Sequence, residues 1–153
     1  MKSLAAIAAQ AAALLALASG AGALVKAFHP NAPALYLQEE PLGKNEVTLD
    51  IIRGWGAPPL WIDARQREAY GEDHIPGALL INEQEFDELI LEAIEPLGQA
   101  QVEGRNIVVY CGSHGCKASH KVAEELSSRL GLGDQVFVLR RGWKAWIEDR
   151  DGR

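Results

Sequence analysis

The run Ile107-Val108-Val109-Tyr110 ends at Cys111, passes through the short polar loop Gly112-Ser113-His114-Gly115-Cys116 and enters Lys117–Leu130, where Val122, Leu126 and Leu130 recur at helical spacing. An apolar β-branched run followed by a glycine-containing loop and an amphipathic repeat spells a buried strand, a tight loop and a helix N-terminus. Such a loop turns several backbone N–H groups into one concavity, and together with the helix dipole these favour an anion. A cysteine at the mouth of that concavity has its thiolate stabilised, and the thiolate is the nucleophile. The expected reactive group is therefore Cys111, with the amides of Gly112, Ser113, His114, Gly115, Cys116 and Lys117 as its cradle.

The chain carries a net charge of -6, and its Lys and Arg residues are scattered. That pattern argues against a nucleic-acid partner. Only two cysteines occur, both in the same loop, so no disulfide framework joins distant segments. No cofactor is expected.

Before the globular part, Ser3 to Val25 contains no charged residue and matches the length of roughly 20 residues that crosses a bilayer. Residues 1–26 are expected to form a hydrophobic membrane anchor or signal segment. Ala16-Leu17-Ala18 and Ala21-Gly22-Ala23 have the small-x-small form of a cleavage site, which keeps secretion after cleavage open beside an uncleaved anchor. Either route leads to a membrane, with the domain expected on the extracytoplasmic (periplasmic) side and both cysteines in an oxidising compartment. Residues 27–45 carry Pro30, Pro33 and Pro41 without sustained periodicity and read as a linker.

From Glu46 onward the pattern is that of a folded domain, 46–153. Thr48 is placed to cap a short helix ending at Gly54, Leu60-Trp61-Ile62 reads as a strand ending at Asp63, Gln66 to Asp73 as a polar connection, and Leu79-Leu80-Ile81 as a second strand. Asn82 is expected to cap a helix whose buried stripe is Phe86, Leu89, Ile90, Ala93 and Leu97, while Val136 to Leu139 and Trp143 to Arg150 supply a further strand and helix. Alternation of strands with helices predicts an α/β fold, a central mainly parallel sheet flanked by helices on both faces, with its ligand at the carboxyl ends of the strands. Asp63, Cys111 and Arg140 each follow a strand, so Arg65, Arg140 and Arg141 are candidates for charge near the loop. Asp63 and Arg65 also read as an ion pair that fixes the loop after the strand.

In that order, Trp61-Ile62-Asp63-Ala64-Arg65, Tyr70 with His74-Ile75-Pro76-Gly77-Ala78, Val109-Tyr110-Cys111 and Arg141-Gly142-Trp143-Lys144-Ala145-Trp146 resemble the rhodanese-like domains over about Glu46 to Ile147. The resemblance implies the rhodanese fold and an active-site cysteine at Cys111. It also implies sulfurtransferase chemistry, in which that cysteine takes sulfane sulfur from a small donor such as thiosulfate, becomes a persulfide and passes the sulfur to a thiol or other nucleophilic acceptor. The loop departs from the family pattern. It lacks the arginine common near its end, and Lys117 offers a point charge in place of a bidentate fork.

Cys116 adds an alternative, that of a resolving thiol which would make the protein a redox or sulfur-relay carrier, against a small residue packed at the helix start. A non-catalytic binding module, with a membrane protein among its possible partners, is the third class. Cys111, Cys116, His114 and His120 match no usual zinc spacing, so no metal is expected. His114 reads either as an acid or base beside the thiolate or as an ordinary loop histidine.

Overall fold

The structure is a computed structural model that describes residues 4–28, 41–112 and 117–152. It divides into two units, Met1–Glu40 and Pro41–Arg153. The first contains the helix α1 (Leu4–Phe28), in which twelve of 25 residues are alanine. The reading of residues 3–25 as a membrane-crossing span gains no support here, because among the described residues no helix is long and apolar enough to cross a membrane. Alanine contributes far less apolar area than leucine or isoleucine, so a helix dominated by it is weakly hydrophobic per residue.

The second unit runs β1 (Glu46–Val47), α2 (Leu49–Arg53), β2 (Leu60–Asp63), α3 (Arg67–Glu72), β3 (Leu79–Leu80), α4 (Phe86–Val102), β4 (Ile107–Tyr110), α5 (Lys117–Leu130), β5 (Val136–Leu139) and α6 (Gly142–Arg150). Its five strands form one sheet in the order β1-β5-β4-β2-β3, and every pairing is parallel. β4 is the central strand, and all four of its residues are buried. Successive side chains of a strand point to opposite faces. Ile107 and Val109 accordingly join Leu89, Leu97, Val122 and Leu126 of α4 and α5, while Val108 and Tyr110 join Ile52 of α2 with Trp143 and Trp146 of α6.

Local chemistry explains most of the boundaries. Thr48 caps α2 by accepting from the Ile51 N–H, and α4 buries Phe86, Leu89, Ile90, Ala93 and Leu97, the stripe read from the sequence. Asn82 acts one turn earlier than expected. Its side chain accepts from the Glu85 N–H at 2.8 Å and donates to the Glu85 carboxylate at 2.9 Å, closing the turn that leads into α4. The polar connection 66–73 contains a helix, α3, with no buried residue, which is why hydrophobic periodicity did not announce it.

Candidate active site

The parallel register sets Asp63 beside Tyr110 and Val138 beside Val109. Ala64, Cys111 and Arg140, the residues reached one or two steps further along, therefore leave the sheet at one edge. Cys111 is 2 % exposed and packs into the aliphatic side of the core. It is disulfide-bonded. The other cysteine of the sequence, Cys116, lies outside the described residues, as do Ser113, His114 and Gly115. The zinc alternative falls largely on the same segment, and among the described residues no group of His, Cys, Asp and Glu is placed to hold a metal ion.

Beneath Cys111 lies a charged network. Asp63, with no exposed surface, accepts from the Arg65 amide at 2.9 Å, from Arg65 Nε at 3.0 Å and from Arg65 Nη2 at 2.7 Å. Tyr110 donates its hydroxyl to the same carboxylate at 2.8 Å and accepts from the Ile75 N–H at 3.1 Å. Burial, and after it the Asp63 carboxylate, pushes the Tyr110 phenol above its ordinary value, while the Ile75 N–H works in the other direction. The Arg65 guanidinium lies 4.3 Å from the centre of the Trp143 ring and also donates to the Asp73 carbonyl at 2.6 Å. Burial works against its charge and the Asp63 carboxylate outweighs that, so the group is held above its usual range. Arg65 is thus the partner of Asp63, as the ion-pair reading has it.

The remaining candidates divide. Arg141 donates to Glu148 of its own helix at 2.5 Å, and its backbone sits in the left-handed region at φ 65. Arg140 is half-buried, and its amide donates to the Val47 carbonyl at 2.9 Å. Lys117 is exposed at the first position of α5 and Gly112 is exposed at the start of the loop. Two residues that sequence reasoning gave no role contact the Cys111 backbone. The Trp143 N–H donates to the Cys111 carbonyl at 2.6 Å, and a Cβ on Gly142 would lie 2.0 Å from that oxygen. The sequence signal for them was a glycine directly after a strand and its two arginines, at a helix start.

A buried cysteine at the carboxyl end of the central strand of a parallel sheet, leading into a loop and a helix, defines an α/β protein with a thiol-based candidate site. The model of the rhodanese-like domain family matches residues 46–149, and the chain belongs to that family. Among solved structures, the chain is similar to a rhodanese-like domain protein from Staphylococcus aureus, at 22% identity over 67% of this chain and 90% of that one, with a TM-score of 0.45. It is also similar to a protein from Bacillus halodurans, at 25% identity over 69% of this chain and 72% of that one, with a TM-score of 0.49. No curated protein matches.

Proposed function

We propose that the protein is a sulfurtransferase in which Cys111 carries sulfane sulfur as a persulfide. The observation that supports this most is the place of Cys111 at the end of β4, the central strand, immediately before the loop and α5. The reduced Cys111 thiolate attacks the outer sulfur of an anionic donor such as thiosulfate. A Cys111 S–S bond forms, the donor S–S bond breaks, and sulfite leaves with the bonding electron pair. A nucleophilic acceptor, such as a low-molecular-weight thiolate, then attacks the outer sulfur of the persulfide and returns Cys111 as thiolate. Both forms of the site are anionic, so amides of the loop stabilise them without a metal or an added base.

The disulfide at Cys111 favours a second reading. A redox or sulfur-relay carrier would cycle between that disulfide and a reduced pair, with Cys116 as the only other cysteine available. Intact mass of the reduced protein after exposure to thiosulfate, and separately to polysulfide, separates the two. Gain of one sulfur, retained in Cys116→Ser and lost in Cys111→Ser, supports the transferase. Loss of two hydrogens, abolished in either variant, supports the carrier, and no change with any donor leaves a rhodanese-fold binding module.

The proposal extends to location. The uncharged run 3–25 directs the domain out of the cytoplasm, as an anchor or as a cleaved signal. Fractionation together with the mass of the mature protein tests this. An N-terminus after Ala18 or Ala23 means cleavage, and an intact chain in the soluble cytoplasmic fraction ends the export reading.

A further inference from the structure

Three observations converge on the backbone of Cys111. Its carbonyl accepts the Trp143 N–H at 2.6 Å. Gly142, at φ +51, is packed so closely that an added Cβ would stand 2.0 Å from the Cys111 oxygen, 2.9 Å from its carbonyl carbon and 3.2 Å from its nitrogen. Those are backbone atoms, which cannot swing aside as the end of a side chain does. Directly before Gly142, Arg141 is the one described residue other than glycine with positive φ, at 65. A non-glycine residue in the left-handed region, as Arg141 is, is a costly way to enter a helix, and such strain persists only where surrounding structure over-determines it.

Peptide planarity gives this contact a consequence. The Cys111 carbonyl and the Gly112 N–H belong to one planar trans unit and point in opposite directions. With the carbonyl held at the start of α6, the Gly112 N–H is turned away from α6. We propose that Gly142 and the Trp143 amide are the positioning elements of Cys111, fixing the Cys111–Gly112 peptide so that the Gly112 N–H serves the sulfur anion. Gly142 permits the approach, and Trp143 supplies the bond. The kinetic part of this inference rests on the sulfur-transfer reading, whereas the part concerning thiolate stabilisation does not.

The test is Gly142→Ala in the reduced full chain, with folding checked by circular dichroism and alkylation of Cys111 by iodoacetamide followed across pH by peptide mass. The displaced peptide no longer presents its N–H, so the alkylation profile moves to higher pH and the rate at neutral pH falls about tenfold for each unit of displacement. Sulfur transfer loses kcat with KM for thiosulfate unchanged. A folded variant with the wild-type alkylation profile overturns the proposal. If Gly142→Ala does not fold, hydrogen exchange of the wild-type Trp143 amide decides: strong protection supports the contact, and exchange at the rate of an open loop amide overturns it. Should wild-type Cys111 accept sulfur from no donor, the transferase reading fails while the alkylation profile still judges the positioning role.

Discussion

Ile107 and Val109 of β4 face α4 and α5 among aliphatic side chains and Phe86. Val108 and Tyr110 of the same strand face α2 and α6 across a layer containing Trp55, Trp61, Trp143 and Trp146, and the Tyr110 hydroxyl is bonded to the buried Asp63. The first face is a core of the simplest kind, held by apolar area and close packing. The second combines packing with a carboxylate that has no exposed surface and is stabilised only by its donors. Residues on the first face exchange with others of similar volume at small cost. Those on the second act as a set, because removing one leaves another buried without its partner.

The largest effect expected is that of Asp63→Ala. It strands the Arg65 guanidinium, whose side chain is only 10% exposed, and frees the Tyr110 hydroxyl, costing about 3–5 kcal/mol in urea unfolding. Because Tyr110 directly precedes Cys111, the variant also alters the pH profile of Cys111 alkylation. A loss below about 1 kcal/mol, the value of a surface pair, would remove the distinction between the faces. Ile107→Val, on the aliphatic face, is expected to cost about 0.5–1.5 kcal/mol and to leave the alkylation profile as in the wild type. A shift of that profile would mean that both faces position the cysteine.

The sharpest pH signature belongs to Tyr110. Its folded-state pKa lies above the ordinary phenol value because of burial first and Asp63 second. The stability it contributes is therefore fully present below about pH 10, the unfolded value. It is lost as pH rises from there towards the folded value, since the unfolded chain then releases a proton that the native state retains. Stability measured by urea unfolding at alkaline pH should fall more steeply in the wild type than in Tyr110→Phe. Equal slopes would mean that the hydroxyl is not held as described.

Much of this was legible in the residues. The strand β4, the amphipathic helices α4 and α5 and the parallel α/β architecture follow from apolar period and from the order of the segments. The place of Cys111 at a strand end follows from the polar loop after it. Less legible were β1, which is two residues long, and α3, which buries nothing. Neither is long or apolar enough to carry a period. The arginines marked the right edge of the sheet, but Arg65 is engaged with Asp63 and Arg141 with Glu148. A side chain's partner depends on the fold around it.

By itself the sequence determined the segments and their character: a cysteine at the end of a buried strand, a polar run after it, and helices with one apolar face. These are properties of neighbouring residues, carried by the periods 2 and 3.6. The tertiary structure alone decided that Gly142 lies against the Cys111 carbonyl and that Tyr110 shares Asp63 with Arg65. Such contacts join separate β–α turns. They exist because parallel strands deliver their carboxyl ends to a common edge, where the register of the sheet, and no local period, sets which residues meet.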